Sequence, residues 1–311
     1  MNRQLQVCVL GGTGFIGTHL VSRLASAGHT VRVLSRRPYR NRTLAVLPTV
    51  RMEQADIHDG EALTRAFRGC DAVVNLVGIL NETRGQTFRL VHVELPRKVA
   101  QSCRAAGVDR LLHMSALNAD AGNAPSRYLR SKGEGEAALR VHAANQVHCT
   151  VFQPSTVFGP GDSFLNRFST LLRLSPGVFP LACPDARFQP VFVGDVAEAF
   201  AVALDDRTTF GRRYTLCGPT IYTLREIIEM VAEQTGRRRA IIGLPPTLAR
   251  LQATLLEFFP GKPFTRDVWR SLQVDSVCST GPGLSDLGIT ASALEPSLVG
   301  QFEPASAGAA S

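Results

Sequence analysis

A glycine-punctuated turn, Gly11-Gly12-Thr13-Gly14-Phe15-Ile16-Gly17, constrains this chain more than any other stretch. Residues 5–10 (LQVCVL) before it read as a buried strand, and residues 19–24 after it place apolar side chains at helical spacing. A glycine turn between strand and helix lets backbone N–H groups approach a pyrophosphate, and the positive end of the helix favours the anion. The spacing is G-x-x-G-x-x-G, through Gly11, Gly14 and Gly17. A bare glycine pattern is also what any strand–helix turn can show, so the flanking elements carry the dinucleotide reading.

The elements that follow alternate. Strand patterns at 29–35, 50–54, 72–76, 110–114 and 148–153 are interleaved with helical patterns at 59–67, 88–106 and 128–143. Such alternation implies an α/β fold, a doubly wound parallel sheet with helices on both faces. Beyond Pro154 the rhythm breaks into Pro- and Gly-rich sequence, with helical stretches at 195–204, 223–234 and 246–259 and a strand at 213–217. The expected division is a dinucleotide-binding domain over 1–154, to which strands and a helix from 187–217 return. A smaller α/β substrate lobe spans 155–300, and the small-residue tail 301–311 is expected to be disordered. In that lobe Leu248, Leu251, Leu255 and Phe258 share one helical face. The stripe reads as packing on the lobe's own core, as an apolar wall for substrate, or as a patch that meets a membrane or partner, with the wall favoured over a membrane anchor because the polar face holds little positive charge.

Composition narrows the classes. The chain of 311 residues is 44% hydrophobic and 19% charged, ordinary for a globular protein. No apolar run reaches the ~20 residues of a membrane span, and the first strand pattern begins almost at Met1, so neither a transmembrane segment nor a signal peptide is expected. The location expected is cytoplasmic. Seven scattered cysteines without C-x-x-C spacing read as reduced residues, and the histidines show no H-x-x-x-H or H-x-H spacing, so no metal site is expected. The net charge of +8 comes from arginines spread along the chain with no nucleic-acid motif beside them. A phosphate-bearing cofactor and a small-molecule substrate fit this better than nucleic acid.

In a dinucleotide fold the residues ending the second strand choose between cofactors: a carboxylate holds the ribose 2′-OH, whereas arginine takes a 2′-phosphate. Here Ser35-Arg36-Arg37 stands at that point with no carboxylate in reach, which favours NADP(H) over NAD(H). Asp56, with Ile57, is expected either at the adenine or as a helix cap. Val77 and Gly78 should run beneath the cofactor, and Pro154 should border it after the sixth strand.

Tyr128 and Lys132, spaced i, i+4, share a helix face. A nearby ammonium is expected to lower the phenol pKa and make Tyr128 a proton donor and acceptor for a hydroxyl or carbonyl. Four tyrosines and three lysines in 311 residues give such a pair by chance only ~4% of the time. Ser115, directly after the fifth strand, is placed to hydrogen-bond the same substrate oxygen. His113 reads as packed within its strand, and Glu134 and Glu136 as a solvated helix face.

The glycine turn, Ser115, Tyr128 and Lys132, in that order, resemble the short-chain dehydrogenase/reductase superfamily in its larger epimerase/dehydratase-like form. The stretches SALNAD (from Ser115), SRYLRSKGEGE (from Ser126) and PSTVFGPGDSFLNRF (from Pro154) narrow the likeness to the nucleotide-binding accessory subunit of respiratory complex I and its bacterial relatives. The resemblance implies a Rossmann-type fold holding NADP(H), with residues 11–17, Arg36, Arg37, Tyr128 and Lys132 around it. It also implies a family whose mitochondrial member is regarded as holding its cofactor without turnover, and whose relatives are linked to quinones. Many sugar-nucleotide members carry arginine where this chain has Gln153. Three readings follow: an oxidoreductase using Ser115, Tyr128 and Lys132 on a carbonyl or alcohol, a non-catalytic NADPH-binding accessory or sensor protein, and a sugar-nucleotide epimerase. Peripheral association with a membrane or respiratory complex is the less favoured partner reading.

Overall fold

Short apolar runs, each stopped by a turn, become strands buried on both faces. β1 (Gln6–Leu10) leads through the glycine turn to α1 (Phe15–Ser26), then β2 (Thr30–Ser35), α2 (Arg42–Ala45), β3 (Val50–Gln54) and α3 (Gly60–Phe67). β4 (Ala72–Asn75) is followed by a π-helical turn (Arg89–Glu94) that runs into α4 (Leu95–Ala106), then β5 (Arg110–Met114), α5 (Arg127–Ala143) and β6 (His148–Pro154). The later chain forms β7 (Val157–Phe158), α6 (Phe164–Leu174), β8 (Val178–Leu181), β9 (Arg187–Phe188) and β10 (Val191–Phe192). α7 (Val193–Ala203), β11 (Arg213–Leu216), β12 (Tyr222–Thr223) and α8 (Leu224–Gln234) come next. β13 (Ala240–Gly243), α9 (Pro246–Leu256) and α10 (Arg266–Ser271) complete the helices and strands. The computed structural model describes residues 3–295 apart from 39–41, 144–145, 238, 260–261, 263 and 280. The tail 301–311 lies outside the described residues.

The chain divides into two units. The first is Met1–Pro154, Val193–Leu216 and Thr280–Thr290. Its seven strands lie in the order β11-β6-β5-β4-β1-β2-β3, every pairing parallel. This is the Rossmann-type sheet expected from the alternation. β4 and β5 are buried at every position, as a sheet covered on both faces requires. On one face Leu63, Phe67, Leu95, Val99, Cys103 and Leu139 from α3, α4 and α5 close over Cys8, Leu10, Val73 and Leu111 of the sheet. The direction of strand addition reverses between β1 and β4, and the loops leaving their carboxyl ends meet there. In doubly wound sheets this switch point is where ligands bind.

Among the described residues the second unit, Ser155–Phe192, Cys217–Ser279 and Ala291–Ser311, shows two-stranded pairings, β10 with β7, β12 with β9 and β13 with β8. Its core gathers Leu165 and Leu172 of α6 with Ile227, Ile228 and Val231 of α8. Thr223 and Glu226 start α8 with reciprocal capping bonds. Two expectations are corrected here. Cys217 and Cys278, 61 positions apart, are joined in a disulfide, so the seven cysteines are not all reduced. α9 turns small residues, Ala249 and Ala253, inward, leaving Leu248, Leu251, Leu255 and Phe258 exposed rather than packed on the unit's own core. Among the described residues no helix is long and apolar enough to cross a membrane.

Candidate functional site

At the switch point the backbone is drawn tight. Gly11 has φ +78°, and a Cβ there would lie 3.1 Å from the Leu76 carbonyl carbon and the Val77 nitrogen. A Cβ on Gly17 would lie 2.2 Å from the Gly11 oxygen, so the first turn of α1 rests directly on the glycine turn. Gly14 N–H donates to Gly11 O at 3.0 Å and Thr18 N–H to Gly14 O at 2.9 Å. The N–H groups between them, at the start of α1, have no intrahelical acceptor. The cap residue is Gly14, which offers no side chain, and the first turn carries no acidic residue. Thr13 is exposed and Phe15 and Ile16 half-buried along this rim. Such a donor set fits the pyrophosphate of a dinucleotide.

Arg36 and Arg37 follow β2 at the same edge, both exposed, and neither makes an ion pair among the described residues. The Ser35 hydroxyl accepts Arg37 N–H at 3.2 Å, which turns the chain there. Asp56 accepts His58 N–H at 2.9 Å, a turn-forming role, while the cap of α3 is Asp59, which accepts Glu61 N–H at 2.9 Å. Ile57 is half-buried against the core. Pro154 ends β6 buried, its carbonyl accepting Leu117 N–H at 2.9 Å.

α5 brings Tyr128 and Lys132 to this unit's interior. Lys132 is 4% exposed, and its ammonium donates to the Met114 carbonyl at 3.2 Å. A Cβ on Gly78 would sit 3.1 Å from Lys132 Nζ, so the lysine head lies against the turn after β4. Burial lowers the Lys132 pKa to about 8, with Glu136 pulling the other way. The Tyr128 ring meets Phe88 and His92 edge-on, at 6.0 and 5.5 Å between centroids, beside Ala116, Ala124 and Leu129. Burial pushes the phenol up to about 12. The spacing of tyrosine and lysine alone predicts a lowered value. Desolvation of the phenolate dominates instead, while the lysine head is turned to a backbone carbonyl.

Ser115 is buried after β5, its N–H bonded to Phe152 O at 2.7 Å, and its hydroxyl donates to Glu136. Glu136 is 3% exposed, takes a second bond from Gln153 at 2.7 Å and pairs with Arg213 at 2.7 Å. It is not part of a solvated face, although Glu134 is exposed. The helical spacing 128, 132, 136 was the available signal for this. Sequence reasoning also passed over Asn75 and His92, buried polar side chains whose bonds reach the turn after β4.

The model of the NAD dependent epimerase/dehydratase family matches residues 7–217. The chain is 31% identical over 298 residues to the mouse (Mus musculus) protein named NADH dehydrogenase [ubiquinone] 1 alpha subcomplex subunit 9, mitochondrial, covering 92% of this chain and 77% of that one. It is 30% identical over 254 residues to the ceramide reductase of Caulobacter vibrioides, covering 77% of this chain and 73% of that one. The UDP-glucose 4-epimerase of Thermus thermophilus, solved as a complex with NAD, superposes with a TM-score of 0.64 at 22% identity, covering 86% of this chain and 99% of that one. That last likeness is one of fold.

Proposed function

The chain belongs to the NAD dependent epimerase/dehydratase family, and from that premise we propose an NADP(H)-dependent oxidoreductase acting on the carbonyl or alcohol of an apolar, quinone-like or lipidic, small molecule. The observation that carries this reading is the pairing on α5 of half-buried Tyr128 with buried Lys132, whose head lies against the turn at the sheet's switch point. A relative named as a reductase of a lipid supports the substrate class.

In this proposal the N–H groups around residues 11–17 hold the pyrophosphate, Arg36 and Arg37 the 2′-phosphate, and Asp56 and Ile57 border the adenine. Val77, Gly78 and Pro154 line the nicotinamide half, and the Lys132 ammonium takes the ribose hydroxyls. The reduced nicotinamide, when bound, supplies the hydride. Tyr128, protonated at neutral pH because burial raises its pKa to about 12, gives its proton to the carbonyl oxygen and is reprotonated afterwards. The Ser115 proton goes to Glu136, so Ser115 meets substrate as an acceptor, for the alcohol form.

The expected result of titration is NADPH binding about tenfold or more tighter than NADH, a difference that Arg36→Ala with Arg37→Ala abolishes. Equal curves in the unaltered protein overturn the cofactor preference. In assays of NADPH oxidation with quinones and long-chain ketones, Tyr128→Phe should lower turnover about 1,000-fold while NADPH affinity stays within a few-fold. An active Tyr128→Phe protein overturns the role given to Tyr128, whereas NADPH binding without turnover in the unaltered protein favours the second reading, a cofactor-holding protein that joins a respiratory complex. Likeness to a named subunit of such a complex over 92% of this chain supports that alternative.

A further inference from the structure

The turn after β4 is held from two sides. Asn75, fully buried within the sheet, accepts Val77 N–H at 3.2 Å and directs its amide group to Nδ1 of His113, also at 3.2 Å. On the other side Ile79 N–H donates to Nε2 of His92 at 3.0 Å. An accepting ring nitrogen carries no proton, so the neutral imidazole of His92 bears its hydrogen on Nδ1. That hydrogen points to the Ser131 hydroxyl at 2.8 Å, and Ser131 donates in turn to the Tyr128 carbonyl at 2.7 Å. The His92 ring also stacks on Phe88, with centroids 5.4 Å apart, and meets the Tyr128 ring edge-on.

The backbone here is shaped around that ring. His92 lies in the π-helical turn Arg89–Glu94, a departure from α geometry that recurs at functional sites. A Cβ on Gly135 would fall 1.9 Å from the His92 carbonyl oxygen, so α5 approaches this turn more closely than any side chain at that position allows. Phenylalanine or leucine would satisfy the apolar contacts alone. Only a ring with two nitrogens on opposite sides can bond the loop and the helix at once.

We infer that His92 is a positioning residue of the cofactor site, setting the gap between the turn after β4 and the helix face of Tyr128 and Lys132. Gly78 stands in that gap, where a Cβ would lie 3.1 Å from Lys132 Nζ and 3.7 Å from His92 Nε2. The inference rests on the NADP(H) reading for what occupies the site, whereas the bond to Ile79 can be tested without it.

Three variants separate the two bonds. His92→Gln puts an amide oxygen near the place of Nε2 and keeps an acceptor for Ile79. His92→Asn puts an amide nitrogen near the place of Nδ1 and keeps a donor for Ser131. His92→Phe keeps the ring and loses both bonds. The measurements are the exchange rate of the Ile79 amide and the affinities for NADPH and for adenosine 2′,5′-bisphosphate, which lacks the nicotinamide half. Exchange at Ile79 should rise about tenfold in the Asn and Phe variants and stay near the original rate in Gln. NADPH affinity should fall about tenfold in the same two, with the bisphosphate held within about twofold throughout. His92→Phe binding and exchanging like the unaltered protein overturns the inference, and so does an equal loss of both ligands. If the unaltered protein binds neither ligand, the cofactor reading falls and Ile79 exchange decides alone: unchanged exchange in His92→Asn overturns the inference. If His92→Phe does not fold, the contrast between Asn and Gln carries the same decision.

Discussion

The two units solve the problem of stability by different means. In the first, one seven-stranded parallel sheet supplies a continuous core, and polar side chains are buried at its edge: Asn75, His92, His113, Ser115, Ser131, Lys132 and Glu136. Each of these has a hydrogen-bond partner, and together they shape the candidate site. In the second unit the buried Asp162, Thr235 and Thr265 serve helix ends, and Ser155 donates to the distant Ser276 carbonyl. With its described strands in pairs, that unit relies on helix packing and on the Cys217–Cys278 closure. The chemistry divides in the same way. All seven histidines lie in the first unit, and the single tryptophan, Trp269, and the disulfide lie in the second. The first unit should therefore answer to protons and the second to reductant.

The largest effect expected is from Cys217→Ala with Cys278→Ala. Removing a closure across 61 positions should cost the second unit about 4 kcal/mol, read from Trp269 fluorescence in denaturant. Amide exchange of β1 and β4 should not change, and a change there would break the division between the units. Next, Ile228→Ala in the α8 core should cost about 3 kcal/mol by the same fluorescence measurement.

Acid should act on the first unit. Burial lowers His92 to about 2 and His113 to about 3, so both stay neutral in the folded chain while the unfolded chain protonates near 6.5. Their stabilisation is complete above pH 6.5 and is lost as pH falls, by about 2 kcal/mol per histidine at pH 5. Exchange-derived stability of β4 and β5 between pH 7 and 5 measures this. A flat profile would show that the rings are charged when folded. The smallest effect is at the exposed stripe, where Leu255→Ala should shift the Trp269-detected stability by no more than about 0.5 kcal/mol. A larger loss would show that the stripe is covered in solution, and would sharpen the search for what covers it.

Much of the first unit was legible because its signals are local. A strand needs only an apolar run of a few residues, a helix only its period, and the glycine turn only its spacing between them. The i, i+4 placement of Tyr128 and Lys132 likewise follows from helix geometry, whatever the helix packs on. The second unit was read less well: α6, α10 and the short strands β8 and β13 carry weak or interrupted patterns amid Pro and Gly, and their form depends on partners distant in sequence.

The sequence by itself determined the α/β class, the strand–glycine–helix turn and the pairing of tyrosine with lysine on one helix face, since each is written within a few residues. Tertiary structure alone decided that Glu136 is buried under Ser115, Gln153 and Arg213, and that the pattern over 88–106 opens with a π-helical turn around His92. It also decided that Cys217 finds Cys278 and that α9 turns alanines inward and leucines out. Those outcomes depend on which surfaces meet. Burial, which raises the Tyr128 pKa where a neighbouring lysine had been expected to lower it, is a property of the packed neighbourhood and not of spacing along the chain.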